Sequence, residues 1–199
     1  MRAPSLNFLK KLLSTPSPSG QEEKIQEVCK AYAKPFVDNI YKDVHGNQYH
    51  VINPKGKLRV MLAGHVDEIA LMIHHMDDKG FLQFQAIGGV DASVLDGQRV
   101  NVHTDKGGIS GVIGRRAIHL TDNEDRGKPM KMHDLWIDIG AKDKKEAQKH
   151  VSIGDTATID AGFLELLNGR IVARALDDRI GAFICLEAVR LLQGRRFDC

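Results

Sequence analysis

Apolar residues recur at helical spacing near the N-terminus, where Leu6, Leu9, Leu12 and Leu13 share one face and Ser5 can cap the helix. Thr15-Pro16-Ser17-Pro18-Ser19-Gly20 breaks that run sharply. Ser19, followed by Glu22 three residues on, is a capping-box signature and predicts a second amphipathic helix. Its apolar face carries Ile25, Val28, Cys29 and Tyr32, and Pro35 ends it. The pattern then shortens. Residues 37–43 and 48–52 predict a hairpin around His45-Gly46-Asn47, and the apolar run 58–63 reads as a buried strand.

From residue 69 to about 159 the chain alternates short apolar runs with turn signals such as Asp78-Lys79-Gly80, Gly88-Gly89 and Lys106-Gly107-Gly108. The runs at 71–73, 81–86, 99–102, 110–113 and 135–139 suit a small β-barrel, with a helix only at 144–149. From Gly169 onward the style reverts, with a strand predicted at 170–173 and a helix at 178–192. The economical organisation is an α/β domain made from 1–68 and 169–199, interrupted by a β-barrel domain inserted at 69–168. No internal repeat or low-complexity segment breaks this scheme.

Apolar residues make up 42% of the chain, enough for a real core. The net charge of +2 comes from 28 basic and 26 acidic residues mixed along the sequence, so neither nucleic acid nor an anionic membrane is an expected partner. Cys29, Cys185 and Cys199 form no C-x-x-C pair, which fits a reducing, cytoplasmic setting. Lys10 and Lys11 interrupt the only N-terminal apolar stretch, so no signal peptide is expected, and no window approaches the ~18 apolar residues of a membrane span.

Two clusters carry candidate chemistry. Gly64-His65-Val66-Asp67-Glu68-Ile69 follows the predicted strand, and sites in α/β sheets collect at the carboxyl ends of strands. An imidazole there can bind a metal while the carboxylate two residues on steadies its other ring nitrogen, and Gly64 permits close backbone approach. The second cluster, Ala175-Leu176-Asp177-Asp178-Arg179-Ile180-Gly181, opens the last apolar helix. Helix capping needs only one of its two aspartates, and a second costs repulsion unless a cation or another partner offsets it, so capping alone and a metal both stand as readings. The neighbours His74 and His75 point to opposite faces of a strand and cannot jointly chelate one ion. His45, His103, His119, His133 and His150 lack an acidic partner at ligand spacing, while Asp77-Asp78 and Asp122-Asn123-Glu124-Asp125 read as solvated turns. There is no G-x-S-x-G and no cysteine in a general-base context, so a Ser or Cys nucleophile has little support. The glycine pairs lack phosphate-loop spacing.

At these two clusters the sequence resembles the M42 family of dinuclear metallo-aminopeptidases, the glutamyl or deblocking aminopeptidases often labelled endoglucanase M. The likeness extends through Thr15-Pro16-Ser17-Pro18-Ser19-Gly20, Asp77-Asp78-Lys79-Gly80-Phe81-Leu82, Ile87-Gly88-Gly89 and Asp134-Leu135-Trp136-Ile137-Asp138-Ile139-Gly140, in order along the whole chain. The resemblance implies an incomplete mixed-sheet zinc-peptidase domain, interrupted by a barrel that serves dimerisation and larger homo-oligomers, up to dodecamers in relatives. It implies two divalent ions, zinc or cobalt, with His65 binding one and Asp177 bridging both. Asp67 is then the catalytic-site carboxylate behind His65, and Asp178 follows Asp177 across a strained peptide bond. The implied reaction removes N-terminal residues from peptide substrates, a water between the metals attacking the peptide carbonyl.

Relatives continue past this point to an adjacent glutamate pair and further ligands, and residues 195–199 read as the approach to another strand. The expectation is therefore an N-terminal part of such an enzyme, which binds metal weakly and has no peptidase activity by itself. Two other classes stand beside it: a non-catalytic assembly module acting through the barrel, and a carbohydrate hydrolase of the endoglucanase kind, which commonly needs two carboxylates ~5–10 Å apart and no metal.

Overall fold

The computed structural model describes residues 1–120, 129–195 and 198–199. The acidic turn expected at 122–125, and Arg196 and Phe197 in the expected strand approach, lie outside the described residues. In chain order the elements are α1 (Ala3–Ser14), α2 (Glu23–Ala33), β1 (Asn39–Lys42), β2 (Gln48–Val51), β3 (Ala70–Met76), β4 (Leu82–Ile87), β5 (Arg99–Thr104), β6 (Gly107–Arg115), β7 (Leu135–Asp138), α3 (Lys144–His150), β8 (Thr156–Ile159), β9 (Leu164–Glu165), β10 (Ile171–Val172) and α4 (Leu176–Leu192). They form a mixed α/β chain of two compact units, residues 1–68 with 162–199, and residues 69–161.

The first unit is held by three helices. Phe8, Leu9, Leu12 and Leu13 of α1, Ile25, Cys29 and Ala33 of α2, and Phe183 and Leu186 of α4 make one buried cluster. Phe8 stacks on Tyr32 with ring centroids 3.7 Å apart. Ser5 does not cap α1. It lies inside the helix, buried, and its hydroxyl donates to Glu187 Oε2 at 2.8 Å. Glu187 also accepts from Tyr32 and from Arg190, so it ties α1 and α2 to α4. The helix predicted from Ser19 begins at Glu23 with Glu22 as its N-cap. Ser19 is unavailable as a cap because Pro18 bridges Glu68 in a parallel pairing and the Ser19 N–H donates to the Glu68 carbonyl.

The hairpin forms as expected, with Asn39 opposite Val51 and Lys42 opposite Gln48. The run 58–63 does not form a buried strand. Leu58, Val60, Met61 and Leu62 are exposed, and among the described residues no strand pairs with 58–67. A strand needs a ladder partner for its backbone groups, and apolar character cannot supply one. Among the described residues the mixed sheet is likewise reduced to two antiparallel pairs, β1–β2 and β9–β10.

The second unit is a closed antiparallel barrel in the order β3-β4-β7-β6-β5-β8. Leu71, Ile73, Leu82, Phe84, Val100, Val102, Ile113, Leu135 and Ile137 fill its interior. All five predicted runs fall on its strands, and α3 covers the predicted helix. The sixth strand, β8, pairs with both β3 and β5 and so closes the barrel. The unit ends at Ala161 and not at 168, because β9 pairs with β10 and Phe163 packs into the helical cluster of the first unit. Strict alternation also fails at His74 and His75. A register shift between Ile73 and His75 bulges β3 and leaves both rings exposed.

Candidate metal centre

The segment carrying His65 and Asp67 belongs to no helix or strand and is pinned at its end. Glu68 N donates to the Ser17 carbonyl at 2.9 Å, and Ser19 N donates to the Glu68 carbonyl. At its start the segment presses on the first turn of α4. A Cβ on Gly64 would lie 2.6 Å from Ala182 N and 2.9 Å from Gly181 C, so only glycine allows this approach.

Opposite this segment, α4 begins irregularly. Ala175 sits in the left-handed region at φ 58°, Asp177 and Asp178 are non-helical, and the peptide bond between them is cis. Asp178 Oδ1 accepts from Gly181 N at 3.2 Å and caps the regular helix that follows. Capping thus occupies one aspartate. The Asp177 side chain is 97% exposed and turns towards His65.

The two clusters meet at the imidazole. His65 Nδ1 lies 2.8 Å from Asp67 Oδ1, and His65 Nε2 lies 3.3 Å from Asp177 Oδ1. The second Asp67 oxygen accepts from the Ser19 hydroxyl, so the carboxylate is held from both sides. A neutral imidazole donating from Nδ1 presents a lone pair at Nε2. A lone pair facing a carboxylate oxygen is repulsive unless a proton or a cation stands between them. Two donors each ~2.1 Å from one tetrahedral ion stand ~3.4 Å apart, close to the observed spacing. The nitrogen and oxygen donors therefore fit a divalent cation such as zinc or cobalt. Among the described residues, no third His, Cys, Asp or Glu joins them in a ligand cluster.

Behind these residues lies a buried ionic group. Arg179, 0% exposed, donates from Nη2 to Glu68 Oε1 at 2.9 Å, from Nε to the Val66 carbonyl at 2.9 Å and from Nη1 to the Leu12 carbonyl at 2.8 Å. Arg174 grips both Glu68 oxygens and the Ser14 carbonyl, and Ser17 N donates to Glu68 Oε1 at 3.0 Å. Burial lowers the Arg179 pKa, and the Glu68 charge opposes that effect. Burial also pushes the nearby Cys29 thiol up to about 12.

His65, Asp67 and Asp177 come together as three neighbours within the first unit. Sequence reasoning gave no role to Ser19 beyond capping and none to Glu68 or Arg174. The Glu68 contacts with Arg174 and Arg179 span 106 and 111 residues, a separation at which no local pattern reveals pairing.

A family model for M42 glutamyl aminopeptidases matches residues 46–199. The chain is 32% identical over 195 residues to the lysyl aminopeptidase of Pyrococcus furiosus, covering 96% of this chain and 56% of that protein. It superposes with a TM-score of 0.92 and 34% identity on a TET aminopeptidase from a marine-sediment Thaumarchaeota archaeon, covering 96% of this chain and 54% of that one. The Pyrococcus horikoshii TET1 peptidase, which assembles into a tetrahedron or a large octahedral shell, gives a TM-score of 0.84 at 37% identity over 95% and 56% of the two chains. The chain thus spans about half the length of the relatives it matches.

Proposed function

The chain belongs to the M42 glutamyl aminopeptidase family, and from that premise we propose that it carries the metal-holding half of a metallo-aminopeptidase acting on peptide N-termini. The observation that carries this reading is the line from Asp67 through His65 to Asp177, with the free imidazole nitrogen 3.3 Å from an exposed carboxylate.

In this reading His65 and Asp177 would hold two divalent ions, zinc or cobalt. Such ions, when bound, lower the pKa of water and polarise a peptide carbonyl. The chain's own residues prepare the site. Asp67 holds the Nδ1–H tautomer of His65 and so keeps the Nε2 lone pair available. Ser19 fixes Asp67, and the Gly181 amide engages Asp178, which leaves Asp177 as the free oxygen donor. The α/β unit built from 1–68 and 162–199 is the zinc-peptidase part, interrupted by the barrel. We assign the barrel to subunit association, and that the TET1 relative assembles into shells supports homo-oligomers of such chains. The three unbridged cysteines support a cytoplasmic setting. No described helix is long and apolar enough to cross a membrane.

A glycosidase would need two free carboxylates facing a sugar. Asp67 is engaged by His65 and Ser19, and Asp178 by the helix start, so nothing here favours that chemistry. By itself the 199-residue chain is proposed to bind metal without turnover, since a catalytic zinc takes about three protein ligands.

The test is a chimaera in which residues 1–199 replace the matching half of the Pyrococcus furiosus lysyl aminopeptidase. Zinc- or cobalt-dependent release of nitroaniline from lysyl-nitroanilide, lost in His65→Ala, is the expected result. A folded chimaera whose activity survives His65→Ala would sink the proposal.

A further inference from the structure

We infer that Glu68 and Arg179 are positioning residues that set the gap between His65 and Asp177, an inference that rests on the metal-site reading above. Arg179 follows Asp177 by two residues, and its Nε is bonded to the carbonyl of Val66, the residue between His65 and Asp67. Its Nη2 reaches Glu68, the residue after Asp67. One planar guanidinium therefore joins the backbone that carries the nitrogen donor to the backbone that carries the oxygen donor.

The location of this pair argues for a positioning role. Glu68 is 5% exposed and Arg179 fully buried, and a buried ion pair is seldom more stable than apolar residues of the same volume. What the pair supplies that apolar residues cannot is direction. Glu68 is bound at Oε1 by Ser17 N, Arg174 and Arg179, and its backbone is bridged to the Ser17–Ser19 segment. The hydroxyl of Ser19 in turn holds Asp67. The imidazole, the carboxylate behind it and the carboxylate opposite it are thus referred to a single buried carboxylate. A lysine at 179 keeps the charge, but its single ammonium group replaces a fork that meets Val66, Glu68 and Leu12 in fixed directions. A shift of the two donors by ~1 Å would take them beyond what one ion spans at ~2.1 Å from each.

The experiment titrates the purified chain with zinc and follows the His65 ring in long-range proton–nitrogen NMR spectra, alongside a thermal melt of the metal-free protein. In the wild type, zinc shifts Nε2 of an Nδ1–H imidazole. Arg179→Lys is expected to raise the half-saturating zinc concentration at least tenfold, in the range seen when outer partners of metal ligands are removed. Its His65 should keep the Nδ1–H tautomer, because Asp67 and Ser19 are untouched. The paired variant Glu68→Leu/Arg179→Met removes both charges and should weaken zinc to a similar degree while remaining folded.

If folded Arg179→Lys binds zinc as the wild type does while His65→Ala abolishes binding, the positioning role is overturned and the metal reading stands. If the wild type shows no zinc shift at His65, the metal reading fails and takes this inference with it. Loss of folding in both variants assigns the pair a purely structural role and overturns the inference equally.

Discussion

Replacing Gly64 with alanine tests whether the close approach of the His65 segment to α4 sets the site. The new Cβ would lie 2.6 Å from Ala182 N, 2.9 Å from Gly181 C and 3.1 Å from Ala182 Cα, all backbone atoms of a hydrogen-bonded first turn that no rotamer change can clear. Ordinary contact begins near ~3.5 Å, so the segment must retreat by about 0.9 Å. If His65 moves with it in full, its gap to Asp177 grows from 3.3 Å to about 4.2 Å, the limit that two ~2.1 Å bonds reach in a straight line. Overpacking of this kind costs ~1–3 kcal/mol. At ~2–4 °C per kcal/mol for a chain of this size, the melting temperature should fall by ~2–12 °C. Zinc affinity, read by calorimetric titration, should fall at least tenfold. Gly162→Ala is the control, because a Cβ there meets nothing within 4 Å. A Gly64→Ala chain that melts and binds zinc like the wild type would refute the reasoning.

Three further outcomes follow from the same geometry. Asp67→Ala should weaken zinc ~10–100-fold, read by metal titration, with the melting temperature changed little because the carboxylate is partly exposed. Glu187 is held down to about 2, first by its hydrogen bond from Arg190, then by those from Tyr32 and Ser5, against an ordinary value of 4.5. A depressed carboxylate stabilises the fold above its unfolded pKa, so urea midpoints should drop as pH falls from about 4.5 towards 2, and Glu187→Gln should flatten that slope. Cys29, buried with its thiol pushed up to about 12, should resist iodoacetamide at pH 8 in the folded chain and react in urea, as mass spectrometry of tryptic peptides would show.

Much of the fold was legible where periodicity and turn chemistry agree. The hairpin around His45-Gly46-Asn47 and five of the six barrel strands follow from short runs bounded by glycine. The sixth strand, Thr156–Ile159, was missed because its threonines read as polar, although Thr156, Ala157 and Thr158 are all buried. Hydropathy cannot show that a hydroxyl is buried. The run 58–63 failed for the opposite reason, because apolar character predicts burial only where a partner strand is at hand. In the proposed site, residue type and position singled out His65, Asp67 and the Asp177-Asp178 pair, the family resemblance chose Asp177, and the fold makes His65, Asp67 and Asp177 neighbours. The parts that hold them were not legible. Ser19 carries a capping signature that a tertiary contact overrides, and Arg174 and Arg179 meet Glu68 only once the chain has folded back on itself.

The exposed run 58–63 also governs how the polypeptide behaves at high concentration. Leu58, Val60, Met61 and Leu62 present apolar side chains to water on a backbone that pairs with no described strand. Such a run is a template on which a second molecule can lay a strand. Lys55, Lys57 and Arg59 lie in and beside the run, and between two copies these like charges would repel. Salt screens such repulsion beyond ~10 Å at 0.1 M, so raising the ionic strength would favour contact between copies. The stretch that delivers His65 to its place is therefore also an apolar strip on the surface of the first unit.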